Sequence, residues 1–159
     1  EDNKDTKEPA KVMKHVGWYA KYFSAVTGRK SKPEDLIAMS ESVYNFQRLF
    51  NLKLGFGTRK HDDIPYRSVG PVLPIEYESR QERYDTQLTE THEVDIEGKS
   101  TEEKIALLRK FREERYEKLK DAVYERRGWD NDGVPTLETV KKLGIDFPDV
   151  VELIKKHGE

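Results

Sequence analysis

The 159-residue chain contains no cysteine, so no disulfide, thiolate zinc site, iron-sulfur ligand or cysteine nucleophile can come from it. No apolar run approaches the length that crosses a bilayer, and the opening "EDNKDTKEPAKV" lacks the basic-then-apolar order of a secretion signal. A soluble, cytoplasmic protein with no membrane partner is expected. A dominant charge sign is missing too: 29 basic against 31 acidic side chains leave a formal net charge of −2, which disfavours a nucleic-acid partner. Gln, Asn and Met are scarce beside abundant Lys, Arg and Glu, a bias resembling that of heat-adapted proteins, in which ion-pair networks become less costly as charge hydration weakens.

What is present is helical pattern. Polar residues 1–10 are expected as a flexible lead and 11–159 as a single helical domain. Val12, Val16, Tyr19, Phe23 and Val26 fall near one stripe, widened by Trp18 and Tyr22, with Gly28 placed to end the helix. Pro33, Glu34 and Asp35 suit the start of a second helix, in which Leu36, Ile37, Ser40, Val43, Tyr44, Gln47 and Phe50, broadened by Phe46 and Leu49, mark the expected buried arc. The aromatics at this spacing are most simply core, or else half a core completed by a neighbour.

Gly55 and Gly57 break the pattern, and Pro65, Pro71 and Pro74 keep the next stretch extended. Residues 78–90 suggest a short helix with Tyr84 and Leu88 one turn apart. Ser100 and Glu103 fit a capping box opening a long helix with Ile105, Leu108, Phe111, Tyr116, Leu119 and Val123 on its apolar side, stopped by Gly128. Two short helices should follow, from Thr136 to Leu143 and from Pro148 to His157, stopped by Gly144 and Gly158. With no strand alternation and no repeat, the class is all-α, a multihelical domain with an irregular Pro/Gly-rich segment.

Four stretches invite chemistry. "GFGTRK" could cradle an oxyanion with help from Arg59, Lys60 and His61, but it has neither P-loop spacing nor a preceding strand, so a helix stop followed by solvated charge is the simpler account. "HDD" at 61–63 offers an imidazole and two carboxylates; His15, His92 and His157 lie apart, so aspartates anchoring a turn are favoured over a metal. "WDNDGVPT" has too few alternating acids and no terminal glutamate for a calcium loop, and reads as a tight turn before a Thr136 cap. In "RKFREERYEKLKDAVYERR", Lys and Arg alternate with Glu, which describes a solvated, ion-paired face better than a nucleic-acid helix.

Two longer stretches go beyond pattern. "ESVYNFQRLFNLKLGFGTRKHDDIPYR" resembles an element of the tungsten-containing aldehyde:ferredoxin oxidoreductase family, in which a helix ending in Arg-x-Phe-Asn enters a glycine turn followed by Arg-Lys-x-Asp-x-x-Pro-x-Arg. "LKDAVYERRGWDNDGVPTLETVKKLGI" resembles that family's C-terminal sequence, with Arg-Gly-Trp-Asp-x-x-Gly-x-Pro-Thr and a last Leu-Gly. "YFSAVTG" also has a counterpart, and the likeness runs from about Trp18 to Asp146.

The resemblance implies a C-terminal helical domain. Family members bind a tungsten, or sometimes molybdenum, bis-pterin on an N-terminal domain, covered by two helical domains that supply four cysteines to a 4Fe-4S cluster. They oxidise aldehydes to carboxylic acids and pass the electrons to ferredoxin. The last cluster cysteine belongs to an Asp-x-x-Gly-x-Cys element that this sequence lacks, so catalytic, cofactor and metal residues are expected elsewhere and this chain alone is expected to be inactive. A fragment is expected ahead of a split-off subunit or a cluster-less paralogue. Its partners would be the N-terminal pterin domain, the middle helical domain and ferredoxin.

The charged insertion around "YESRQERYDTQL" and "EGKSTEEKIALLRKFREERYEKL" is more similar to the glyceraldehyde-3-phosphate-oxidising branch. On that reading Arg59, Lys60, His61, Asp62, Asp63 and Arg67 are the candidates for a substrate channel or anion-facing edge. The rival expectation is a stand-alone helical interaction module without activity.

Overall fold

The computed structural model describes residues 11–157, with side chains from residue 16 onward. The expected lead at 1–10, the stop at Gly158 and the side chains of Val12 and His15 lie outside the described residues. Seven α-helices and no strand are found among those that are described. The fold is therefore all-α. The helices are α1 (Lys11–Thr27), α2 (Pro33–Lys53), α3 (Pro74–Glu78), α4 (Gln81–Thr86), α5 (Thr101–Arg127), α6 (Leu137–Lys142) and α7 (Pro148–His157). Short 3-10 turns occur at Arg59–His61 and Tyr66–Ser68, and α4 continues into a π-helical turn at Gln87–Thr91. The chain forms two compact units: Glu1–Phe56 with Val134–Glu159, and Gly57–Gly133.

In the first unit, the Asp35 carboxylate accepts the Lys32 N–H at 2.8 Å, securing the start of α2 beside Pro33. The core joins Leu49 and Leu52 of α2 to Val134, Val140, Ile145, Val150 and Ile154. Of the α2 arc expected from spacing, Leu49 is buried, but its buried companions are Asn45, Arg48 and Leu52, while Val43, Tyr44, Phe46 and Phe50 are exposed. Most of the α1 stripe is not core within this chain either: Tyr19 is 68 % and Val26 86 % exposed, Trp18 and Tyr22 are also open, and Phe23 is half-buried. Small Ala20 is buried there instead. An apolar stripe marks a face that can be covered, and says nothing about whether the cover lies in the same chain.

In the second unit, α5 opens on the expected reciprocal cap: Ser100 Oγ accepts from Glu103 N–H at 3.2 Å and Glu103 Oε2 from Ser100 N–H at 2.7 Å. It ends at Gly128, whose φ of 65° is a left-handed conformation that only glycine adopts without strain. Its N-terminal half packs Ile105 and Leu108 against Tyr77, Tyr84 and Leu88. Phe111 of the expected stripe also packs on this core and Tyr116 is half-buried, but beyond them the stripe fails. Leu119 and Val123 are exposed, and the buried positions are Arg109, Lys120 and Tyr124.

A buried polar cluster stiffens this core. Tyr77 donates its hydroxyl to Asp85 Oδ1 at 2.7 Å, and Lys104 Nζ lies 3.3 Å from the same oxygen. Burial alone would raise the Asp85 carboxyl, but hydrogen bonds from Tyr77, Gln81 and Lys104 outweigh it and hold its pKa below the usual carboxylate value. Because the folded pKa lies below the unfolded one, the stabilisation is complete above the ordinary carboxylate range. It is lost as pH falls through the depressed folded value. Asp85→Asn is therefore expected to lose less melting temperature than the wild type between about pH 5 and pH 2. Parallel acid melts by circular dichroism with equal slopes would contradict this.

Candidate functional site

The candidate residues lie on the irregular strap at 57–73, in the second unit. The turn before it needs Gly55 at φ 86°, and Gly57 at φ 87° begins the strap. Past these glycines, few of the strap's backbone groups can pair with one another, because Pro65, Pro71 and two 3-10 turns interrupt any regular ladder. Donors come instead from the polar side of α5.

Arg109 Nη2 donates to the Tyr66 carbonyl at 2.8 Å and its Nη1 to the Gly70 carbonyl at 3.2 Å. The Arg109 guanidinium also lies 3.9 Å from the Tyr66 ring centre. One turn on, Arg112 Nη1 donates to the Val69 carbonyl at 3.2 Å, and Tyr116 donates its hydroxyl to the Asp62 carbonyl at 2.8 Å. Long side chains with apolar stems and charged tips are what such a face requires, which explains why arginine, lysine and tyrosine displace leucine there.

Four of the six candidates are tied down by this arrangement or by their own turn. Arg59 donates Nη2 to Glu117 at 2.6 Å and Nη1 to Asp121 at 2.7 Å, and its Nη1 also reaches the Asn131 carbonyl at 3.1 Å. The hydrogen bonds to Glu117 and then Asp121 hold its guanidinium further above the usual arginine range. Asp62 Oδ2 accepts the Tyr124 hydroxyl at 2.6 Å, and Asp63 Oδ1 accepts from Lys120 Nζ at 2.7 Å. Burial would lower the Lys120 pKa, but Asp63 and Glu117 more than offset it. His61 turns back on its own loop, with Nδ1 2.9 Å from Thr58 Oγ1.

Lys60 is exposed. Arg67 stands apart from the others and pairs with Glu76, whose carboxylate is held below its usual pKa first by the Val72 and Leu73 N–H groups and then by Arg67. Arg67 also lines a cleft with Arg80 and Arg112, two residues that the sequence did not single out. The signal at Arg112 was its place on the Ile105, Leu108, Arg109, Tyr116 side of α5; nothing local marked Arg80.

The remaining stretches resolve as structure. At 130–133, the Asp132 N–H donates to Asp130 Oδ1 at 2.9 Å and the Gly133 N–H to the Asp130 carbonyl at 3.0 Å, giving a tight turn. Thr136 caps α6 through the Thr139 N–H at 3.2 Å. The ion pairs expected along α5 include Lys110 with Glu114 and Lys120 with Glu117, but Arg109 and Lys120 are buried rather than solvated.

Among the described residues, no group of three or more His, Asp or Glu side chains could hold a metal ion. With no cysteine in the sequence either, the residues present offer no thiolate ligand for a 4Fe-4S cluster. No helix among the described residues is long and apolar enough to cross a membrane.

Comparison with known proteins places this arrangement. A family profile described as aldehyde ferredoxin oxidoreductase, domains 2 and 3, matches residues 6–145. The chain is 25 % identical over 128 residues to the tungsten-containing aldehyde ferredoxin oxidoreductase of Pyrococcus abyssi, and 24 % identical over 128 residues to that of Pyrococcus horikoshii. Each alignment covers 80 % of this chain and 16 % of the relative, so the chain spans about a sixth of the length of these curated relatives. No solved structure gives a significant match. With most of its length matched by that profile and its helices ordered as the two sequence motifs imply, the chain belongs to the aldehyde ferredoxin oxidoreductase family, as an all-α domain of the C-terminal type.

Proposed function

We propose that this chain is the C-terminal helical part of a larger tungstopterin oxidoreductase that oxidises an aldehyde to its carboxylate and passes the electrons to ferredoxin. Its own task is to cover and buttress the body that holds the cofactors. The observation that carries this reading is the apolar side of the first unit. Trp18, Tyr22 and Val26 recur at four-residue spacing on α1, and Met39, Val43, Phe46 and Phe50 do so at three- and four-residue spacing on α2, all exposed. A soluble monomer seldom leaves so many large apolar side chains in water. The relatives' greater length supplies a cover, and their names supply tungsten.

The tungsten or molybdenum bis-pterin and the 4Fe-4S cluster belong to the remainder of that enzyme. Lys60 and Arg67 are the strap's basic side chains best placed to face a substrate channel. Among aldehydes, the charged insertion favours glyceraldehyde-3-phosphate.

The test is to purify the natural gene product from its own cells. A polypeptide several times longer than 159 residues, containing tungsten and reducing ferredoxin in the presence of an aldehyde, is expected. An 18.6 kDa monomer without tungsten would overturn the proposal. Within the intact enzyme, Phe46→Asp combined with Phe50→Asp should abolish activity while leaving the helicity of the separate chain unchanged, because neither ring supports the chain's own core.

A further inference from the structure

The second unit contains a cleft of about 340 Å³ whose wall carries three arginines and one carboxylate. Arg67 comes from the second 3-10 turn, Arg80 from the junction of α3 and α4, and Arg112 from the middle of α5. Three separate pieces of chain thus bring like charge to one concavity.

The single carboxylate does not balance them. Glu76 pairs with Arg67 and accepts the N–H groups of Val72 at 2.8 Å and Leu73 at 3.1 Å. Arg112 directs its terminal nitrogens to neutral acceptors, the Val69 carbonyl at 3.2 Å and Gln87 Oε1 at 2.9 Å, so no counter-charge meets it. Burial pushes the Arg112 guanidinium below the usual arginine range; Tyr84 opposes this, and the charges of Arg83 and Arg109 add to it. The Arg80 guanidinium has no hydrogen bond or ion pair among the described residues. Gly70 also lines the wall, and a Cβ there would stand 3.0 Å from Arg112 Nη1, so the missing side chain is what lets the guanidinium lie close to the backbone.

The half-buried Arg112 guanidinium, with no counter-charge, carries a desolvation cost that a bound anion would recover, while Arg67 and Arg80 stand exposed at the mouth of the cleft. We propose that this cleft binds a small tetrahedral oxyanion, a phosphate group free or esterified, through the planar forks of Arg80 and Arg112 with Arg67 at the rim. Guanidinium forks match phosphate oxygens bidentately. The volume is that of a small-molecule site, which favours a low-molecular-weight anion over an acidic protein surface. The assignment does not depend on the enzymatic role of the chain.

The experiment is a calorimetric titration of the full chain at low ionic strength with inorganic phosphate, then with phenyl phosphate, which separates a free from an esterified ligand. Saturable binding of one phosphate per chain is expected, displaced by sulfate far better than by acetate. Arg80→Ala removes a side chain that supports nothing in the fold and should weaken binding about tenfold or more, whereas Arg80→Lys should keep part of the affinity by retaining charge without the fork. Lys110→Ala, an equal change of charge outside the cleft, should alter affinity by no more than about twofold. Absence of saturable phosphate binding overturns the proposal. So does an equal loss in Lys110→Ala, or acetate competing as well as sulfate.

Discussion

Trp129→Ala is expected to lower the unfolding free energy by about 3–5 kcal/mol, the scale for truncating a buried large aromatic. The indole is only 8 % exposed and its ring centre lies 5.7 Å from that of Tyr124. The Trp129 backbone N–H, which alanine retains, closes the end of α5 by donating to the Tyr124 carbonyl at 2.9 Å. Collapse into the vacated space is hindered because Tyr124 is anchored at its far end, its hydroxyl bonded to Asp62. The loss should therefore fall toward the upper part of that range, with Trp129→Phe costing much less because it keeps most of the buried ring. Urea unfolding followed by far-ultraviolet circular dichroism checks this. A midpoint unchanged by the alanine variant would show that the indole does not hold the end of α5.

Arg109→Ala is the second large effect. This residue sits on a buried position of a helix yet carries a charge, and it satisfies the Tyr66 and Gly70 carbonyls as described, with the Pro71 carbonyl 3.5 Å away. A hydrogen bond from a charged donor contributes more than a neutral one, and an acceptor left unsatisfied adds its own penalty, so a cost of roughly 2–4 kcal/mol is expected. Water entering through the adjoining cleft between the strap and α5 limits the penalty. Arg109→Lys should recover little, since one ammonium cannot reach two carbonyls on separate turns. The discriminating measurement is hydrogen exchange: amides at 66–70 should lose protection while those of α7, in the other unit, keep theirs. Uniform loss throughout the chain would instead indicate a global role for the arginine.

Much of the helical layout was legible because its signals are local. Gly28, Pro33, the Ser100 and Glu103 pair, Gly128, Thr136 and Pro148 each act within one helical turn, so neighbours in sequence decide them. The Tyr84 and Leu88 pair was equally readable, and both side chains enter the second core. Which face each long helix buries was less so. Spacing marks Phe46 and Phe50 as strongly as Leu49, and the choice between them depends on α6 and α7, far along the chain.

On the later turns of α5 the apolar rule misleads, because Tyr116, Lys120 and Tyr124 bond the Asp62 carbonyl and the Asp63 and Asp62 carboxylates of the strap rather than another greasy surface. The strap's own charged residues were visible as a motif. Their partners Glu117, Lys120, Asp121 and Tyr124 were hidden within a helix that reads as solvated charge. The arginine cleft is more tertiary still: Arg67, Arg80 and Arg112 share no local pattern, and only the fold makes them neighbours.

The first unit is assembled from both ends of the chain, while the second is one uninterrupted stretch between Phe56 and Val134, and the hydrophobic clusters of the two have no residue in common. Evolution can therefore lengthen, shorten or recharge the intervening cassette without re-threading the scaffold that receives it. Divergence among homologues should accumulate in that cassette, leaving the α2, α6 and α7 framework as the slower-changing frame.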